Sequence, residues 1–285
     1  MGDYTIYHHI PWGGAYAIYF FTIGIAAALF FFSALSWARA EFEPLRGRAA
    51  YASFALLALS GLVLIGDLSQ PLRFLNVLNP FYLNFSSPLA WGALNLVSFA
   101  LVSLAYFWAM RKKRDALARQ LSIAGALLAL GLPVYTGFDL TVHQNRPVWN
   151  TPLMPVLFVA LSLVSGAAVA TFLAAGQERT LRALRPVMLW SAGAVAVMLV
   201  SLMGTTWYGG IGQELTFMIL TTGSMSLAFM WLGVILGTGV PIALLLAPVG
   251  QKTSGLLVSG VLLLVGGMAL RYSILVGGQI VQTYF

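Results

Sequence analysis

The sequence predicts an all-α integral membrane protein with eight transmembrane helices, because it has long apolar runs, few charges and an uneven distribution of those charges. Of its 285 residues, 60% are hydrophobic and only 8% are charged, whereas soluble domains carry about 25% charged residues. A span needs about 20 mostly apolar residues, and a helix satisfies the backbone amides of such a run in lipid. Eight runs are long enough, at residues 13–37, 49–69, 88–110, 120–140, 153–176, 186–208, 226–248 and 255–277. We expect one transmembrane domain over residues 1–285, arranged as two four-helix bundles.

The basic residues predict which side of the membrane each connector faces. Twelve of the fifteen Lys and Arg residues lie on one side of the predicted spans: Arg39, Arg46, Arg48, Arg111, Lys112, Lys113, Arg114, Arg119, Arg179, Arg182, Arg185 and Lys252. The other side has Arg73, Arg146 and Arg271. Since basic loops face the cytoplasm, both termini are expected outside, in an inner (cytoplasmic) membrane. The formal charge of +7 then belongs to short loops, so we expect lipid rather than nucleic acid around this chain.

The residue types that bind redox metals are scarce. The chain has no cysteine, so it supplies no thiolate for an iron–sulfur cluster or for covalently attached haem. Its three histidines, His8, His9 and His143, all lie outside the middle of a span, where a b-type haem takes its ligands. We therefore expect no haem, iron–sulfur cluster or other metal in this chain. The inner half of the spans also lacks the Asp, Glu and His residues of proton relays, so we expect no proton pumping.

Polar side chains collect instead at the outer ends of the spans. Tyr135 and Asp139 lie four residues apart at the end of the fourth span, a spacing that puts them on one helical face. Asp67 ends the second span, where an acidic residue at the edge of the hydrocarbon suggests a function. Arg73 is a candidate partner for Asp67, and the alternative is that this pair only ties down the outer loop. The adjacent His8 and His9 precede the first span.

Two features of the last third of the chain belong to the same outer side. Arg271 lies six residues before the end of the eighth run, and its side chain either reaches the surface or turns into the bundle. Glu214 is a candidate partner for an inward Arg271. Glu214 belongs to segment 209–225, which is too short and too polar to span a membrane, so we expect an interfacial helix there.

This arrangement predicts a binding site for an amphipathic small molecule at the outer mouth of an apolar bundle. Aromatic and aliphatic walls with a few convergent polar groups are typical of such sites. A quinone fits this description, because its tail is apolar and its carbonyls need proton donors, for which Tyr and His are suitable. Two alternatives stay open: a transporter for a small amphipathic solute, and a membrane anchor that carries haem.

Five motifs, taken in order, resemble those of the NrfD/PsrC family, the membrane subunits of polysulfide-reductase-like complexes. They are WGGAYAIYFFTIGIAAALF in the first run, IGDLSQPLRF after the second, LPVYTG in the fourth, PVWNTPLMPVLFVALSLVSGAA leading into the fifth, and RYSILVGGQ at the end of the eighth. The resemblance covers nearly the whole chain and agrees with eight helices and outside termini.

The resemblance implies a subunit without its own redox centre that binds menaquinone or ubiquinone near the outer face. It implies electron exchange with an iron–sulfur partner, a ferredoxin-like subunit with several cubane clusters docked outside. That partner connects to a molybdopterin catalytic subunit or a multihaem cytochrome. Together with the outer residues, it suggests Tyr135, His9 and Asp67 as catalytic residues. The expected quinone-binding residues are His8, His9, Tyr16, Tyr135, Asp139 and Arg271.

Overall fold

The computed structural model describes residues 12–68, 70–79, 81 and 84–281. This described part of the chain contains eight helices that are long and apolar enough to cross a membrane. In chain order, with the short helix α7 included, the helices are α1 Gly14–Leu35, α2 Leu45–Asp67, α3 Pro88–Arg111, α4 Asp115–Thr141, α5 Leu153–Leu173, α6 Glu178–Trp207, α7 Ile211–Thr221, α8 Leu227–Leu246 and α9 Thr253–Gly277. The prediction of eight transmembrane helices is confirmed, and each predicted run overlaps one of them.

Two helices begin earlier than their apolar runs. α2 starts at Leu45 rather than at residue 49, and α6 starts at Glu178 rather than at residue 186. The additional part of α6, residues 178–185, contains four charged side chains. Arg182 Nη2 lies 3.0 Å from Glu178 Oε2, an (i, i+4) ion pair on its surface. A search for apolar runs misses such turns, because a helix continues beyond the hydrocarbon wherever its side chains are solvated.

The segment 209–225 forms the expected short helix, and the helix after it is unusual. α7 begins after Gly210, whose φ of +94° is a left-handed conformation that favours glycine. α8 starts as a π-helix over Leu227–Gly239 and continues as an α-helix over Val240–Leu246. Gly237 of α8 and Gly266 of α9 touch through their backbones, so a Cβ on either residue would overlap the other helix.

α1 is the central helix of the bundle. It packs against α2, α4, α5 and α9. Of the most apolar 18-residue stretch of α1, 72% of the residues are buried, compared with 22% for the corresponding stretch of α3. Small and aromatic side chains such as Ala26 and Phe30 allow this close packing. Because α1 contacts helices from both halves of the chain, the grouping into two four-helix bundles stays a prediction.

The two ends of the bundle differ in charge. We call "site end" the end at which α1 begins and α2 finishes, and "basic end" the opposite one. The basic end contains the connectors between α1 and α2, α3 and α4, α5 and α6, and α8 and α9. The twelve basic residues grouped together in the sequence lie in these connectors or in the adjoining helix turns.

Candidate functional site

A cavity of about 430 Å³ lies at the site end between α1, α2, α3 and α4. This volume falls within the range of about 300–1,000 Å³ that is usual for small-molecule pockets. Most of its wall is apolar and comes from α2 and α3: Gly61, Leu64, Ile65, Leu68, Leu89, Ala93, Leu96 and Val97. Gln70, Arg73 and Phe74 line it from the 3₁₀ segment Pro71–Leu78 and the residue before it. We call it the site cavity.

Three tyrosines form the polar part of the site cavity. Tyr16 and Tyr19 come from α1 and Tyr135 from α4. The hydroxyls of Tyr19 and Tyr135 are hydrogen-bonded to each other. Tyr16 lies three residues before Tyr19 on the same helical face, and their rings meet edge to face with centroids 6.5 Å apart. Three phenol groups therefore converge on one wall of an otherwise apolar cavity.

The ring of Tyr135 is held in place by a glycine of α3. A Cβ built on Gly92 would overlap this ring, so only glycine leaves room for the ring in this position. Tyr135 also lines a second cavity of about 360 Å³, next to Trp91, Asn95 and Phe138. The ring thus borders two cavities, and its position depends on the missing side chain of Gly92.

Asp139 lies one helical turn beyond Tyr135 and is buried with only 8% of its surface exposed. No hydrogen bond or ion pair connects its carboxylate to another residue in the described part of the chain. It lies within electrostatic reach of Tyr16, Tyr19 and Tyr135, although it does not line the site cavity. The predicted placement of Tyr135 and Asp139 on one buried face is thus observed, and the carboxylate lies behind the tyrosine cluster.

An aromatic cluster lies beside Tyr16 at the site end. The ring of Trp12 stacks on Tyr16 with centroids 5.2 Å apart and on Trp149 with centroids 5.7 Å apart. The ring of His143 packs against Trp12 and Trp149. Burial and the positive charge of Arg146 lower the pKa of His143. Both effects favour the neutral form of this imidazole.

The end of α9 holds this cluster through backbone carbonyls. Gln279 Nε2 donates to the carbonyl of Trp12 at 2.6 Å, and Trp149 Nε1 donates to the carbonyl of Ile274 at 2.8 Å. Arg146 donates to the carbonyl of Gln279. The loop after α4, the start of α1 and the end of α9 are therefore joined by hydrogen bonds at the site end.

Asp67 and Arg73 are both exposed, and no ion pair connects these two described residues. The hypothesis that they pair is therefore wrong. α2 ends at Asp67 and the chain turns into the 3₁₀ segment, which leaves both charges to water. Arg73 nevertheless lines the site cavity, as do Ile65 and Leu68 on either side of Asp67.

Arg271 turns into the bundle and is fully buried. It donates from Nη1 to the carbonyl of Gly267 at 3.0 Å and from Nη2 to Ser162 Oγ at 3.1 Å. Its guanidinium carbon lies 5.4 Å from the ring centroid of Phe21. A helical side chain tilts towards the N-terminus of its helix, which directs Arg271 away from the membrane surface. The suggested pairing with Glu214 is therefore wrong, since Glu214 is exposed, and Arg271 does not line the site cavity.

His8 and His9 lie outside the described residues, so their expected roles stay predictions. Tyr19 and Gly92 were missing from the residues expected from the sequence. The three-residue spacing of Tyr16 and Tyr19 was a usable signal for Tyr19, whereas nothing in the sequence around Gly92 indicated its contact with Tyr135. Among the described residues, no group of three or more His, Cys, Asp or Glu side chains is arranged to hold a metal ion.

Comparison with known proteins gives the family. The family model described as "Polysulphide reductase, NrfD" matches residues 4–282. A polysulfide reductase protein of Wolinella succinogenes is 31% identical in an alignment that covers 98% of this chain and 97% of the relative. Protein NrfD of Escherichia coli is 27% identical and covers 96% of each chain. A tetrathionate reductase protein of Salmonella typhimurium is 30% identical in an alignment that covers 64% of this chain and 52% of that protein.

The family match covers nearly the whole chain and agrees with the motifs that indicated this resemblance in the sequence. Because eight apolar helices of sufficient length accompany the match, this multi-pass membrane protein belongs to the NrfD family.

Proposed function

We propose that this chain is the quinone-reactive membrane subunit of a multi-subunit oxidoreductase. The supporting observation is the site cavity, which combines apolar walls from α2 and α3 with the hydroxyls of Tyr16, Tyr19 and Tyr135. Menaquinone or ubiquinone fits this combination, because the ring carbonyls need hydrogen-bond donors and the tail needs an apolar path. When bound, a quinone supplies two-electron, two-proton redox chemistry at the membrane.

The tyrosine pair provides the proton chemistry of the proposed site. In quinol oxidation the hydroxyl of Tyr135 accepts the proton of a ligand hydroxyl as it passes its own proton to the hydrogen-bonded hydroxyl of Tyr19, which in turn releases a proton to the rim. Quinone reduction runs the same relay in reverse, with the rim supplying the proton. Tyr16 supplies a further donor on the same wall, and Arg73 lies at its edge.

Proton exchange with water is assigned to residues at the rim. Asp67 is exposed and lies two residues after Ile65, which lines the site cavity. The carboxylate of Asp67 exchanges protons with water at the opening of this cavity. His8 and His9, which precede α1 in sequence, are proposed as further proton carriers. Arg271 has no direct part in this scheme, because it is enclosed by α1, α5 and α9.

The proposed electron partner is an iron–sulfur subunit with several cubane clusters, docked at the site end. Two relatives are named as parts of a polysulfide reductase and a tetrathionate reductase, which suggests a catalytic reductase partner. The family resemblance implies that this partner carries molybdopterin or several haems. The charge asymmetry between the two ends supports an orientation in the inner membrane with the site end and both termini outside.

Hydroxyl deletions in the assembled complex test the proposal. Tyr135→Phe should lower quinol turnover by about 100-fold, the lower range for loss of a general acid–base group, and should reduce the quinone that copurifies. Tyr106→Phe is the matched control, because Tyr106 is also buried and its hydroxyl is hydrogen-bonded to Ser33 and Trp37 near the basic end. Wild-type turnover and quinone content in Tyr135→Phe would overturn the proposal. Solute uptake by proteoliposomes without bound quinone would favour a transporter instead.

A further inference from the structure

A second cavity lies at the basic end, far from the tyrosines of the site. It has a volume of about 620 Å³ and lies between the starts of α6 and α9. Its lining consists of Glu178, Leu181, Arg182, Arg185, Gln251, Lys252, Thr253 and Leu256. We call it the basic-end cavity. Three of these side chains are cations and one is a carboxylate, so two positive charges in its wall are not balanced from within the cavity.

The basic side chains differ in how firmly they are held. Arg185 donates from Nε at 3.1 Å and from Nη2 at 2.6 Å to the carbonyl of Leu245, near the end of α8. This double hydrogen bond fixes the guanidinium, while its Nη1 has no partner among the described residues. Arg182 is exposed and forms only a surface ion pair with Glu178, and Lys252 precedes the first residue of α9. The cavity therefore contains one rigid cation and two adjustable ones.

Apolar side chains lie at the base of the basic-end cavity. Leu181 and Leu256 are buried there. Other parts of the same two transmembrane helices expose apolar side chains, since Trp190 of α6 is 78% exposed and Val258 of α9 is 52% exposed. Exposed apolar side chains on transmembrane helices face lipid, and tryptophan favours the interface between headgroups and acyl chains. The cavity therefore lies at the polar ends of two helices whose exposed sides face lipid.

We propose that the basic-end cavity binds the phosphate headgroup of an anionic phospholipid. Guanidinium groups form strong charge-assisted hydrogen bonds with phosphate, and basic pockets between transmembrane helices are suited to anionic headgroups. The backbone amides of the first turn of α9 add further donors. The lipid-facing sides of α6 and α9 next to the cavity favour a lipid over free phosphate, because acyl chains can pack against them. The bound lipid would bridge the starts of α6 and α9.

A charge-matched pair of variants tests this site. Arg182→Gln with Lys252→Gln removes two cations from the cavity without breaking the hydrogen bonds of Arg185. Arg111→Gln with Lys112→Gln removes two cations from the connector between α3 and α4, at the same end but outside the cavity. Native mass spectrometry of the purified protein would measure binding of phosphatidylglycerol, with phosphatidylcholine as the zwitterionic reference. We expect phosphatidylglycerol to bind about thirtyfold more weakly to the cavity variant, since each basic residue near an anionic lipid contributes roughly fivefold.

Three outcomes would overturn the proposal. Equal losses in both double variants would mean that the lipid responds only to the net charge of this end. Unchanged affinity in the cavity variant would mean that these cations do not contact the headgroup. Displacement of phosphatidylglycerol by an excess of inorganic phosphate would mean that the cavity holds free phosphate instead. Retained binding in the control and resistance to inorganic phosphate would support a specific phospholipid site. None of these residues lines the site cavity, so failure here leaves the proposed quinone function untouched.

Discussion

The hydrogen bond between Tyr19 and Tyr135 allows a double-mutant test of how the site is built. Both side chains are buried, with 1% of Tyr19 and 8% of Tyr135 exposed. Each single Phe substitution removes one hydroxyl and leaves the other without its partner, at a cost of about 1–3 kcal/mol in the free energy of unfolding. The double substitution removes both polar groups and should cost clearly less than the sum of the two.

Unfolding of the purified protein in mixed micelles with increasing denaturing detergent would give the three free energies. We expect a coupling of about 1–2 kcal/mol, within the range for residues that share a hydrogen bond. Quinol turnover of the same variants in the complex should fall in both single substitutions, because either one interrupts the proton relay. Losses of stability that add to within about 0.3 kcal/mol would refute the reasoning, since they would mean that the two hydroxyls act independently.

Three further substitutions test separate parts of the bundle. Gly92→Ala forces a methyl group into the ring of Tyr135 and should cost about 1–3 kcal/mol in unfolding free energy and weaken quinone retention. Gly193→Ala, with open space around it, is the control, and equal effects of the two would contradict the close contact. Arg271→Met removes a buried charge that has no carboxylate partner among the described residues and should raise the unfolding free energy by about 1 kcal/mol without changing quinol turnover; a loss of stability would contradict this. Asp67→Asn should leave the unfolding midpoint unchanged and alter the pH dependence of turnover, and an unaltered pH profile would exclude Asp67 from proton exchange.

The transmembrane helices were predictable from sequence, because the bilayer requires each of them to have about 20 mostly apolar residues. α2 and α6 begin before the predicted apolar runs, since polar turns outside the hydrocarbon carry no apolar signal. The pairing of Arg271 was also predicted incorrectly. An apolar run indicates that a helix crosses the membrane, but it does not give the rotation of that helix about its own axis. The contact between α9 and α5 that receives this guanidinium depends on that rotation.

Local spacing recovered the part of the site that lies on single helices. Tyr135 and Asp139 share a face because four residues nearly complete one turn of α4, and both proved buried. The partnership of Tyr19 with Tyr135 joins residues 116 positions apart, and the contact of Gly92 with Tyr135 joins α3 to α4. Such contacts follow from the packing of helices, which the periodicity of one helix does not encode. A glycine has no side chain to mark such a contact in the sequence.

The two halves of the chain make different contributions to the site end. The site cavity is lined by α1 to α4 and by the 3₁₀ segment, all from the first half. The second half acts on it through the end of α9, where Gln279 holds the carbonyl of Trp12 and Ile274 holds the indole of Trp149. Since Trp12 stacks on Tyr16, a shift in the end of α9 is passed to a tyrosine that lines the cavity. The second half therefore fixes the position of the mouth, while the first half forms the cavity itself.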